Sequence, residues 1–265
     1  SAEDISSMMS TMGVRDPAKN YNLLVNGLGT GLAPPSAEEW ETFPENYLMD
    51  AGTTNYEVPT APSMDLSSEL YFPQVRNQGS EGSCAAFALT YYNFGYIEAR
   101  DNGWTQAKTG NDAQLLSPAW TYNKVNGGTH EGSGYSENGR LLEQIGAATW
   151  ATYPYSQTDD EGFGTEAAWR SAPSHRISSY VSVYQPDLGS LVSIIKEQLG
   201  KNRPVSFALD AYQYTPAFAD GNYIMSSTEY ASTAYNHGQT VVGYDDTVTD
   251  DGNVGAFKVV NSWGS

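Results

Sequence analysis

At Pro204 the sequence changes its period, and that change limits the folds open to it. Upstream, apolar residues recur at helical spacing. Phe87, Tyr91 and Phe94 fall on one face of a stretch from Ser83 to about Arg100, with Ser83 placed as N-cap. Leu116-Ser117-Pro118 has the form of a helix start, a serine cap followed by proline at the first helical position. Glu137 to Ile145 reads as a helix stopped near Gly146, and Leu188 to Leu199 as one closed by Gly200. Downstream the apolar runs are short, β-branched and aromatic: Val205 to Leu209, Thr240 to Tyr244 and Ala256 to Val260, each bounded by turn residues. Helices first and strands later predict an α+β fold of two lobes, with a cleft between them as the natural place for a site. The sequence shows no internal repeat and no low-complexity tract.

Residues 1–60 stand apart from this pattern. Gly27, Gly29, Gly31, Pro34 and Pro35 break any periodicity. Ser36-Ala37-Glu38-Glu39-Trp40 opens a short helix, since a serine cap and first-turn acids suit the helix dipole. The segment is read as an N-terminal arm with one or two short helices, and residues 61–265 as the main domain. The chain begins at Ser1 rather than Met, which reads as a processed or trimmed product.

The chain carries 31 acidic and 13 basic residues, a net charge of −18. Nucleic acid as a partner is excluded, because phosphate binding needs a clustered basic face. Anionic membranes are disfavoured for the same reason. No apolar run is long enough to span a bilayer. The acidic balance fits solubility outside the cell or adaptation to salt, and secretion or the cell surface is the expected location.

Cys84 is the single cysteine, so no intrachain disulfide forms. It follows the Ser83 cap, at the positive end of a helix, where a thiolate is favoured and the thiol pKa falls. A thiolate beside an imidazolium attacks an acyl carbon without prior proton removal. The preceding loop, Asn77-Gln78-Gly79-Ser80-Glu81-Gly82-Ser83, has two glycines that let backbone come close to a substrate. The Gln78 amide and the Cys84 backbone N–H are candidate oxyanion donors.

The segment Pro73-Gln74-Val75-Arg76-Asn77-Gln78-Gly79-Ser80-Glu81-Gly82-Ser83-Cys84-Ala85-Ala86-Phe87-Ala88 closely resembles the nucleophile segment of papain-like cysteine peptidases. Asn236-His237-Gly238-Gln239-Thr240-Val241-Val242-Gly243-Tyr244 looks like that family's histidine strand, and Phe257-Lys258-Val259-Val260-Asn261-Ser262-Trp263-Gly264 like its asparagine segment. All three stand in the family's order. His237 lies a little further from Cys84 than the usual ~130–150 residues. Weaker echoes lie at Leu116-Ser117-Pro118, Gly134-Tyr135, Thr152-Tyr153-Pro154-Tyr155 and Pro204-Val205-Ser206-Phe207-Ala208, so the likeness runs from about Pro62 to Ser265.

The resemblance implies a two-lobed fold, with a helical left lobe, an antiparallel β-barrel right lobe and the active site between them. It implies hydrolysis of peptide bonds in peptide or protein substrates through a thioester, with no metal and no cofactor. Cys84 would attack the carbonyl, His237 would move the proton, Asn261 would orient the imidazole, and Gln78 with the Cys84 amide would hold the oxyanion. Trp263 would shield the His237–Asn261 bond and border the substrate site. Gly134 would bind substrate backbone and Tyr135 would line a specificity pocket. Family members continue for a further strand or more, so strands are expected beyond Ser265, and specificity is unreadable without them. The source is expected to be prokaryotic, since the family's disulfides are absent.

Two residues depart from the family pattern. Glu81 replaces a disulfide cysteine, and an unpaired carboxylate there opposes thiolate formation. Ala85 replaces the tryptophan that usually follows the nucleophile. Alternatives therefore stay open at this point: a papain-fold binding or scaffold module without activity, an acyl transferase using the same triad, or an exopeptidase. The arm is either a pro-segment lying in the cleft or a permanent arm on the back of the body. His130 and His175 are read as ordinary surface or loop residues. Asp159-Asp160-Glu161, Asp245-Asp246 and Asp250-Asp251 are read as solvated loops, because the alternating spacing of calcium ligands is missing.

Overall fold

The computed structural model describes residues 2–42, 47–49, 56–185, 187–214 and 221–265. The arm opens with a helix, Ala2–Met12. Strands β1 (Leu24–Val25) and β2 (Leu28–Gly29) follow as a tight antiparallel hairpin. Its two turn residues, Asn26 and Gly27, have φ of 54° and 82°, the left-handed pair that a two-residue hairpin turn requires. The predicted short helix is present as Ala37–Thr42. Its cap is reciprocal: the Glu39 amide donates to Ser36 Oγ, and the Ser36 amide donates to the Glu39 carboxylate. Strand β3 (Tyr47–Met49) pairs in parallel with a later strand from residues 182–184.

The body begins with β4 (Ser63–Asp65), a strand that the sequence pattern did not suggest. The predicted helix after Ser83 then runs without a break as Cys84–Ala86, Phe87–Phe94 and Gly95–Asp101. Its middle segment is not α-helical but π-helical, with the Gly95 amide reaching back to Thr90 O. In this segment the Ala88 carbonyl accepts from the sheet, where the hydroxyls of Thr240 (2.8 Å) and Ser206 (3.2 Å) donate to it. Ser83 occupies the cap position, but its hydroxyl meets Tyr155 Oη at 2.8 Å instead of a helix amide. Further helices form at Pro118–Val125, Tyr135–Gln144, Glu166–Ser171 and Leu188–Gly200. Gly146, just past the helix Tyr135–Gln144, has φ of 77° and ends it in the left-handed region.

Strand β5 is Ser182–Tyr184, the partner of β3. The strands after Pro204 are β6 (Val205–Leu209), β7 (His237–Asp250) and β8 (Asn253–Val260), each containing the run the sequence marked out. β7 is the axis of a four-stranded antiparallel sheet. β6 pairs with residues 237–241 and β4 with residues 243–245, while β8 runs along the other edge through two irregularities.

Two cores divide the body. One lies between the Cys84 helix and the sheet, joining Phe87, Tyr91, Tyr92 and Tyr96 to Val241, Val242 and Tyr244. The other fills the helical lobe around Trp120, Leu116 and Leu142. Burying each of these large side chains contributes roughly 1.5–3 kcal/mol. The packing sets three points of chain side by side: the first residue of the Cys84 helix, the first residue of β7 and the residue just after β8.

Candidate active site

Those three points are Cys84, His237 and Asn261. Cys84 and His237 are wholly buried. The Gly238 amide donates to Cys84 Sγ at 3.3 Å, so the sulfur touches the residue next to His237. His237 Nε2 lies 2.8 Å from Asn261 Oδ1. With a carbonyl oxygen as acceptor, Nε2 carries the proton and Nδ1 keeps a lone pair. Nδ1 is buried and has no hydrogen-bond partner. Trp263 stacks on the imidazole at 4.5 Å between ring centres and 29° between planes.

Gln78 is brought to the same place by a short pairing of the loop before Cys84 with the chain after β8. Asn77 bridges Trp263, and the Gln78 amide donates to Ser262 O at 2.7 Å. Sequence reasoning passed over Ser262. Its hydroxyl donates to Gln78 Oε1 (2.5 Å) and its amide to Asn261 Oδ1 (2.7 Å), so one residue ties the glutamine to the asparagine. It lay inside the quoted motif, but a serine in a loop carries no signal of its own there.

The electrostatics reverse one expectation. The Cys84 thiol is not lowered but pushed up to about 12 by burial, even with the amides of Gly238, Ala85 and Cys84 directed at it. The His237 imidazole is pushed down to about 4 by burial, with the Asn261 bond opposing. Helix-terminus stabilisation is worth about 0.3–1 kcal/mol, and desolvation of a charge exceeds it. The pair is therefore neutral in this arrangement.

The arm lies directly against this buried pair. Residues 29–33 cross the cleft and bond to both walls. On one side the Gly29 amide donates to Gly79 O, the Ser133 amide to Gly31 O and the Ala33 amide to Ser133 O; on the other, the Gly31 and Leu32 amides donate to Asn236 O. Trp263 Nε1 donates to Gly29 O at 2.9 Å. Gln78 Nε2 donates to Glu81 O (2.7 Å) and more loosely to Thr30 O (3.4 Å). Leu32 packs against Cys84 and Ala85, with Tyr135 and Tyr235 alongside.

The sequence profile described as papain family cysteine protease matches residues 60–265. The chain belongs to the papain family of cysteine proteases. Cathepsin J of Rattus norvegicus is 30% identical over 263 residues, covering 90% of this chain and 71% of that protein. A cathepsin L-like proteinase of Fasciola hepatica is 28% identical, covering 76% of this chain and 56% of its own length. Among solved structures, digestive procathepsin L2 from Tenebrio molitor larval midgut superposes with a TM-score of 0.60 at 18% identity, covering 99% of this chain and 79% of that one. Xylellain, a cysteine protease from Xylella fastidiosa, gives 0.57 at 18% identity, covering 91% and 88%. The expected fold class and the cysteine-type peptidase assignment both stand. No helix among the described residues is long and apolar enough to cross a membrane.

Within this papain-family frame the predicted substrate residues are placed unevenly. Gly134 does not present its amide to the cleft. That amide is spent on the Glu137 carboxylate at 2.7 Å, as the first bond of the helix that follows. Ser133, one residue earlier, makes the strand-like pairing instead. Tyr135 borders the Leu32 side chain, while its hydroxyl donates to Phe207 O (2.7 Å) and anchors the helical lobe to β6. Trp263 caps the histidine, as its stacking shows.

The departures from the papain-family pattern also have an explanation. Glu81 is buried beside the Ser83 and Tyr155 hydroxyls, which also bond to each other, and burial pushes it up to about 8. The expected unpaired carboxylate is thus held as a neutral acid. Ala85 sits fully buried in the contact with Leu32, where little room remains. His130 stands half-exposed beside Glu81 (3.7 Å) and Asp160 (3.5 Å), and His175 meets Glu98 at 2.6 Å. Carboxylates of Glu229, Asp250 and Asp251 lie within 4.8 Å of one another, but Asp251 already accepts the Ser226 and Thr228 hydroxyls.

Proposed function

We propose that this chain is a cysteine endopeptidase in latent form, with residues 1–60 as a pro-segment and residues 61–265 as the peptidase domain. The observation that carries the reading is the extended segment 29–33, which lies beside Cys84 with backbone bonds to both walls. With the arm gone, water reaches the pair and the thiol proton passes to His237 Nδ1. The Cys84 sulfur attacks a peptide carbonyl, and Gln78 with the Cys84 amide holds the oxyanion. The tetrahedral intermediate collapses as His237 returns its proton to the leaving amine, leaving a thioester. Water then attacks with His237 as base, releasing the acid and restoring the thiol. Asn261 and Trp263 keep the imidazole in line, and Ser262 keeps Gln78 directed at the carbonyl. The acidic surface fits a secreted product.

Labelling of Cys84 with iodoacetamide across pH tests this. In the full chain the neutral, buried thiol labels slowly from pH 5 to 8. After removal of the arm, labelling at pH 5–6 rises by about a hundredfold and peptide turnover appears. If removal changes neither, the arm is no pro-segment. If labelling stays slow and climbs only above pH 8, the chain is an inert member of the family.

A further inference from the structure

The arm meets the body backbone to backbone at places where no side chain fits. A Cβ on Gly29 would stand 2.1 Å from Glu81 O, and one on Gly31 would stand 2.2 Å from Gly82 O and 2.5 Å from Gly82 Cα. The body answers in kind. A Cβ on Gly132 would meet Gly31 O at 2.3 Å, and one on Gly82 would meet Asn22 Cβ of the arm at 2.9 Å as well as His130 O of the body itself at 2.7 Å. Nearly all of these obstructing atoms are backbone, so no rotamer change relieves them. Gly29, Gly31, Gly82 and Gly132 therefore interlock, two from each side.

We infer that the cleft recognises its occupant by absent Cβ atoms: the track between the Glu81-Gly82 and Gly132-Ser133 loops admits a Gly-x-Gly strand, here Gly29-Thr30-Gly31, and rejects one bearing side chains at those two positions. The inference rests on the latent reading of residues 1–60 and adds how that latency is set. Each added methyl forces the two loops and the arm apart, breaking the bonds to Asn236, Ser133 and Gly79. A peptide without the two glycines has to take another path through the cleft. Three arm glycines separate clash from strain. Gly29 has an ordinary φ and a clash. Gly31 has φ of 108° and a clash. Gly27 has φ of 82° and nothing within 4 Å of its would-be Cβ.

The experiment compares full-length wild type with Gly29→Ala, Gly31→Ala and Gly27→Ala. The readouts are the iodoacetamide labelling rate of Cys84 at pH 6, turnover of a fluorogenic peptide, and the thermal unfolding transition. Gly29→Ala and Gly31→Ala are expected to label about tenfold faster or more, and to turn over peptide without any proteolysis of the arm. Gly27→Ala, which carries strain alone, stays within about twofold of wild type. Gly29→Ala behaving as wild type overturns the inference, as does Gly27→Ala opening equally. Fast labelling without turnover also counts against it, since that marks an unfolded chain rather than an opened enzyme. A wild type that is already reactive defeats the latent reading itself. A latent wild type with latent clash variants defeats only the glycine inference.

Discussion

Glu81 carries the clearest consequence at the level of single residues. Its carboxyl group is buried among Tyr155, Tyr122, Asp159, Asp160 and His130. Burial raises it to about 8, the Asp160 and Asp159 charges add to the rise, and the Tyr155 and Ser83 hydroxyls oppose it. The folded state thus holds a proton that the unfolded chain releases near 4.5. Its contribution to stability is complete below that value and is lost as pH rises toward 8, on the order of a few kcal/mol in all. His237 acts in the opposite sense between about 4 and 6.5, so the clean window is pH 6.5 to 8. The melting temperature should fall by several degrees across that window, and Glu81→Gln should flatten the fall. Superimposable pH profiles for the two proteins would sink the idea. That Cys84, Gln78, His237 and Asn261 meet was legible because each sits in a motif whose residue types serve one chemistry. Ser262 and Ser133 were not, because their roles arise from which distant loops meet, and a serine next to a loop looks the same in either case.

Among the elements, the Cys84 helix departs most from its sequence. A 3.6-residue period was read across residues 83–100, yet Phe87–Phe94 is π-helical. The periodicity of Phe87, Tyr91 and Phe94 reports which face is buried, not how wide the turns are. The widened turns face β6 and β7, whose Ser206 and Thr240 hydroxyls donate to the Ala88 carbonyl. Thr240→Val keeps the shape and removes the shorter of these bonds. It should cost about 1–2 kcal/mol in urea unfolding, and Ser206→Ala in addition should cost more than the sum, because the carbonyl then loses its second hydroxyl donor as well. Additive or negligible losses would mean the π-helical turns stand without the sheet. The strands after Pro204 were readable from alternation and turn residues, whereas β4 was not, since Ser63–Asp65 is too short to show a period.

Across the whole molecule, an acidic body holds its arm with few cations. Arg15 pairs with the Glu137 carboxylate and donates to Gly132 O at 3.1 Å, and Arg140 reaches Glu39 at 3.2 Å. The Arg15 pair is mostly sheltered from water, so Arg15→Ala strands a buried carboxylate as well as freeing the arm. Cys84 labelling in the full-length variant should quicken by about three- to tenfold, and the melting temperature should fall as well because Glu137 loses its cation. An unaltered rate would show that the glycine-lined track holds the arm alone. The division into helical and strand-rich lobes was legible from the change of period at Pro204. The path of the arm was not, because its glycines look in sequence like any flexible linker. The strand that fills the cleft belongs to the same polypeptide as the cleft. Tethering presents it at an effective concentration in the millimolar range, so weak intrinsic affinity is enough to keep it seated. On the latent reading proposed above, one cut between arm and body turns the tethered strand into a dilute solute, and the grip then lapses by mass action at ordinary protein concentrations.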